Sequence, residues 1–147
     1  MLAAKVRAGS LFGVSAAEAP ADLRFFAGGG GSVRGFEYQA LSPTAEEARA
    51  LDANGRSSEL FGGRSLIETS LEARWRRSDR LGFVAFVDAG AAGPDLDPPI
   101  DDMRAGAGFG VRYYPGFGPL RLDLATPLDR PDGESPVQVY ISIGQAF

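Results

Sequence analysis

Neither cysteine nor histidine occurs in this 147-residue chain. Their absence excludes disulfide frameworks, Cys/His zinc sites, thiol nucleophiles and every triad that needs an imidazole base. Lack of cysteine leaves the compartment open, but it suits a protein that must stay unfolded while it crosses an oxidising space. Long apolar runs are missing too. No stretch approaches the roughly 18–20 residues of a membrane-spanning helix. The opening residues MLAAKVRAGSLFG have no extended apolar centre and form no signal peptide. An exported protein would therefore carry its targeting segment upstream. Positive charge is in short supply: the net charge of −4 argues against a general nucleic-acid binder. Glycine, by contrast, is abundant. It fills 20 of the 147 positions, well above its usual share of about 7%.

The second half of the chain alternates with a period of two, the signature of strands. In SLIETSLEARWR, Ile67, Leu71, Ala73 and Trp75 share one side, and Glu68, Glu72, Arg74 and Arg76 the other. After a Ser78-Asp79-Arg80 turn, LGFVAFVDAGA sets Phe83, Ala85 and Val87 against Val84, Phe86 and Asp88. The loop GPDLDPPIDD breaks the pattern. RAGAGFGVRYYP follows, with Gly106, Gly108 and Gly110 on one face, a face that something bulky is expected to cover. PLRLDLATPL puts Leu120, Leu122 and Leu124 opposite Arg121 and Asp123. VQVYISIGQAF closes the chain with Val139, Ile141 and Ile143 opposite Gln138, Tyr140 and Ser142. These segments span about 10–13 residues, longer than the common soluble strand and long enough to cross a bilayer when tilted. Short turns alternate with longer acidic loops, as in outer-membrane barrels. Leu2 to Gly13 gives one further strand. Residues 14–63 carry little periodicity and are expected to form a long functional loop, with a short helix in AEEARALDANG. The expected fold class is all-β: a partial transmembrane antiparallel barrel, with a strand at 1–13, a loop at 14–63 and a five-strand meander at 64–147.

Gly28-Gly29-Gly30-Gly31-Ser32 has the composition of a flexible linker. It is not a phosphate loop, because Ser32-Val33-Arg34 stands where Gly-Lys-Ser/Thr is required. Its flanks, RFFA before and VRGF after, are aromatic and basic, which fits a tight loop packed against something. RFFAGGGGSVRGF resembles the signature loop of the bacterial outer-membrane assembly barrels, the BamA/TamA superfamily. GGRSLIETSLEAR, FVAFVDAG, GFGVRYYPGFGPLRLDLATPL and the terminal GQAF resemble further motifs of that family, in the same order and over nearly the whole chain. The TamA branch is the nearest by its GPLRLDLATPL segment. Gly30-Gly31 departs from the pattern, since polar or charged residues are common there.

The resemblance implies a loop folded back into the barrel lumen, with Gly28, Gly29, Ser32, Val33, Arg34, Gly35 and Phe36 as its motif. It implies that Glu72 and Asp88 hold Arg34. On the residues alone, both acids are ordinary solvated charges of a polar lumen face. A glycosidase acid pair is the other chemical reading, but nothing marks a sugar cleft, and a partner arginine accounts for the two acids better. Tyr140, Gly144 and Phe147 fall in the implied C-terminal recognition signal. The implied role is assembly of outer-membrane proteins, autotransporters among them, without bond chemistry, cofactor or metal. The implied partners are outer-membrane lipid, unfolded β-barrel or autotransporter substrates and a periplasm-spanning protein, and no nucleic acid. The alternatives are a two-partner secretion transporter, a barrel fused to an upstream lipase-type enzyme, and a soluble β-sandwich. About six strands of this length cannot close around such a loop, so the chain is expected to be the C-terminal part of a barrel of about sixteen strands.

Overall fold

In the computed structural model, which describes residues 1–15, 18–44, 47, 61–116, 118–129 and 136–144, six strands form one antiparallel sheet. They are β1 (Leu2–Ser10), β2 (Ser65–Arg76), β3 (Leu81–Gly93), β4 (Arg104–Tyr113), β5 (Leu120–Pro127) and β6 (Gln138–Ile143). Each pairs with its neighbour in the chain, so the spatial order is the sequence order and β1 and β6 are the two edges. The β2–β3 turn is tight because Arg77 and Ser78 both donate backbone N–H groups to the Leu81 carbonyl, at 2.9 and 3.0 Å. No helix among the described residues is long and apolar enough to cross a membrane.

The sheet is inside out relative to a water-soluble one. Trp75 is 66% exposed, Phe109 61% and Ile141 80%, and Leu71, Phe83, Val87, Leu122, Val139 and Ile143 are exposed with them. Arg34, Glu68, Glu72, Asp88, Arg112, Arg121 and Asp123 are buried. Alternation thus directs one apolar face outward and one charged face inward, the arrangement of a strand with lipid on one side and a polar interior on the other.

The described part of the segment between β1 and β2 covers the charged face. It enters through a one-turn 3-10 helix at Ala21–Leu23 and a two-way backbone bridge between Phe25 and Gly63, at 2.9 and 2.7 Å. Ala27, Val33, Phe36 and Leu41 of this segment form an apolar cluster with Leu66 of β2 and Ala92 of β3, flanked by Phe25. The Ala92 N–H donates to the Leu41 carbonyl at 3.0 Å, which ties the segment to β3 by main chain as well. A second cluster, Val84, Phe86 and Ala125 with Tyr140 beside it, lies under the other half of the sheet.

Three details differ from the sequence expectation. β1 ends at Ser10 rather than Gly13: Leu11 makes one last bond to the Arg64 carbonyl, at 2.7 Å, and Gly13 turns the chain with φ +84°. β5 has 8 residues and β6 has 6, shorter than expected. At the start of β5, Pro119 supplies no N–H to a ladder. At the end of β6, Gly144 leaves the strand conformation at φ +110°. The helix expected in AEEARALDANG falls almost wholly outside the described residues, as does Phe147.

Candidate functional site: an arginine held across three strands

The segment Gly28 to Phe36 is folded by its own glycines. Gly28, Gly29 and Gly35 have φ of +105°, +99° and +107°, a region that side-chain-bearing residues rarely occupy. The Gly29 N–H donates to the Val33 carbonyl at 3.1 Å and the Gly28 N–H to Ser32 Oγ at 2.9 Å. Ser32 Oγ in turn hydrogen-bonds Glu68 on β2, which also pairs with Arg7 of β1 at 3.3 Å. The turn therefore has a defined shape, and it presents Arg34 to the sheet.

Arg34 is the centre of the site. Its Nε and Nη2 donate to the two oxygens of Asp88, at 2.5 and 2.8 Å. This fork-to-fork geometry is the strong form of an arginine–carboxylate pair. Its Nη1 lies 2.8 Å from Glu72 Oε1 and 3.5 Å from Asp123 Oδ2. Glu72, Asp88 and Asp123 stand on β2, β3 and β5 and are 0, 1 and 1% exposed. The Arg34 backbone N–H also donates to Asp88, at 3.2 Å. Phe86 pairs with Glu72 across the ladder and offers its ring face to the guanidinium at 3.4 Å, an added cation–π contact. Ser70 donates to Asp88 at 2.6 Å and so orients that carboxylate.

More cations converge on the same acids. Arg74 pairs with Glu72 at 2.7 Å. Arg112 is bidentate to Asp123, and Arg121 reaches it at 3.1 Å. Each buried carboxylate therefore has at least one guanidinium partner, which the cost of unpaired buried charge requires.

Backbone packing completes the seat. A Cβ on Gly106 would overlap the Arg34 carbonyl oxygen, and one on Gly108 would come 2.6 Å from the Phe86 ring. The bare glycine face of β4 is thus covered by the loop and by Phe86. Phe36 is buried in the apolar cluster, and Arg104 lies over its ring at 4.6 Å. From the far edge, Tyr140 accepts a hydrogen bond from the Gly35 N–H at 3.0 Å and donates one to the Phe36 carbonyl at 2.7 Å.

The structure therefore brings Gly28, Gly29, Ser32, Val33, Arg34, Gly35 and Phe36 together with Glu72 and Asp88. It adds Tyr140, which sequence reasoning had placed with Gly144 and Phe147. Gly144 stands apart and donates its N–H to the Pro119 carbonyl at 2.8 Å. Asp123, Glu68, Arg112 and Arg121 were not among the expected site residues. Their signal was available: Asp123 alternates with Leu122 and Leu124 as Asp88 alternates with Val87 and Ala89.

An apolar exterior, a charged interior and a loop clasped inside define an outer-membrane β-barrel sheet with an internal loop. The Omp85 superfamily domain matches residues 1–147, and the chain belongs to that superfamily; its place is the bacterial outer membrane. It is 28% identical to the outer membrane protein assembly factor BamA of Nitratidesulfovibrio vulgaris, over 100% of this chain and 18% of that protein. Its fold resembles the crystal structure of BamA from Haemophilus ducreyi lacking POTRA domains 1–3. That match has a TM-score of 0.65 and 25% identity, over 94% of this chain and 30% of the other. The chain thus spans about a fifth of the length of this curated relative.

Proposed function

We propose that this chain is part of a barrel that helps β-barrel proteins fold into the outer membrane. The observation that carries the proposal is the docking of Arg34 onto Glu72, Asp88 and Asp123 within an inside-out sheet. This docking fixes residues 28–36 on the inward face, and in this reading that face is the barrel lumen. Similarity to BamA supports the same role. The mechanism uses no bond chemistry. Substrate strands add by main-chain pairing to a sheet edge, and the docked loop holds the interior wall in the shape that presents this edge. Within this role, the GPLRLDLATPL hairpin favours autotransporters as substrates. The other partners are outer-membrane lipid and a periplasm-spanning protein.

The test is reconstitution. The protein as the cell makes it, placed in vesicles of outer-membrane lipid, should accelerate the folding of an added, urea-unfolded autotransporter barrel. Arg34→Ala should abolish most of that acceleration. Equal rates with and without the protein would refute the assembly role. Equal acceleration of a porin and an autotransporter would refute the narrower substrate assignment alone.

A further inference from the structure

The last strand has two sets of neighbours. Among the described residues β6 pairs only with β5, over six residues from Gln138 to Ile143. On the inward face, Tyr140 reaches the loop. Its hydroxyl bridges two consecutive loop groups, the Gly35 N–H and the Phe36 carbonyl. Its ring lies on Gly30, where an added Cβ would come 2.8 Å from Cδ1. Gly31, next in sequence, has nothing within 4 Å of the equivalent position. The fit to Tyr140 is therefore specific to position 30.

We propose that Tyr140 is a positioning residue that couples the terminal strand to the arginine loop, with Gly30 as the seat for its ring. Gly35 and Phe36 directly follow Arg34. A loop shifted away from Glu72 and Asp88 thus withdraws both hydrogen-bond partners of Tyr140 at once. Conversely, a β6 that peels from β5 withdraws the hydroxyl and leaves the buried Gly35 N–H and Phe36 carbonyl without it, a state that buried polar groups resist. Coupling of this kind is reciprocal: whatever frees one element frees the other by the same factor. It is a property of the fold and does not depend on which substrate the barrel handles.

Amide hydrogen exchange of the intact protein, as the cell makes it and purified in detergent, reads both elements in one experiment. Tyr140→Phe keeps the ring and deletes only the hydroxyl. Gly30→Ala changes no residue of β6 and displaces the Tyr140 ring from the loop side. Each is expected to speed exchange in residues 28–36 and in β6 together, by about tenfold or more. The double variant should add little to either single one, as expected for residues that share one interaction. Gly31→Ala should change neither segment. The coupling is overturned if Tyr140→Phe loosens β6 and leaves the loop unchanged, or if Gly30→Ala loosens the loop and leaves β6 unchanged. It is also overturned if Gly31→Ala matches Gly30→Ala. Should Tyr140→Phe fail to fold, Gly30→Ala decides alone, through its effect on β6.

Discussion

At position 106 a methyl group has nowhere to go, because the Arg34 carbonyl oxygen fills the space over that glycine. Gly106→Ala must push the loop off β4, and overpacking of this kind costs about 1–3 kcal/mol. We expect a lower melting temperature for Gly106→Ala in the heat-modifiable gel shift of the folded barrel, and none for Gly31→Ala. An unchanged midpoint at 106 would mean that the loop does not rest there. Arg34 itself is more demanding. Arg34→Lys keeps the charge and loses the fork that grips Asp88 while Nη1 reaches Glu72, so it should behave closer to Arg34→Ala than to wild type. Removing one partner of a buried ion pair costs about 3–5 kcal/mol. Thermal melts of the three proteins check the order, and a lysine variant as stable as wild type would show that charge alone suffices. At this scale the sequence was partly legible. Parity placed Glu72 and Asp88 inward, and the same parity applied to Asp123, but nothing local distinguishes a carboxylate that meets an arginine from one that meets water. The link from Tyr140 to Gly35 spans 105 residues, beyond any pattern of spacing.

Among the elements, the strands were the more legible part. Alternation over SLIETSLEARWR and LGFVAFVDAG reflects a backbone that must send successive side chains to opposite faces, so the pattern survives without knowledge of the partner. The segment between β1 and β2 has no such repeat. The turn at 28–36 takes its shape from three glycines at positive φ and from contacts with five strands, β2 to β6, so only its resemblance to a known motif marked it. The strands also carry a test of which face meets lipid. Phe109→Arg places a cation on the exposed face of β4. In a bilayer midplane this costs about 2–4 kcal/mol, whereas on a water-facing surface it is nearly neutral. Urea titration of the intact protein folded in vesicles should show the larger loss.

Taken as a whole, the described sheet leaves β1 and β6 unpaired with each other, and exposed strand edges recruit other strands. The 147-residue chain by itself, in detergent-free buffer, is expected to aggregate; sedimentation as a monodisperse, cooperatively melting monomer would contradict the lipid-facing exterior. A cysteine pair can test loop position in the membrane, because the chain has no cysteine of its own. Leu41→Cys with Ala92→Cys joins two residues already linked by a backbone hydrogen bond. Oxidation should cross-link them in outer membranes, and a failure to cross-link would place the loop elsewhere.

The partners of Arg34 also impose an order in time. The arginine precedes Asp88 by 54 residues and Asp123 by 89, and its neighbour Gly35 precedes Tyr140 by 105. Contacts at such separation form late, because the intervening chain must first be ordered. The turn at 28–36, whose own hydrogen bonds are local, is therefore expected to form before these contacts. It gains Glu72 and Asp88 when β2 and β3 pair, Asp123 when β5 arrives, and Tyr140 only with the final strand. A fully seated loop is thus a record that every described strand is in register, and a misaligned sheet betrays itself by an arginine left without its carboxylates.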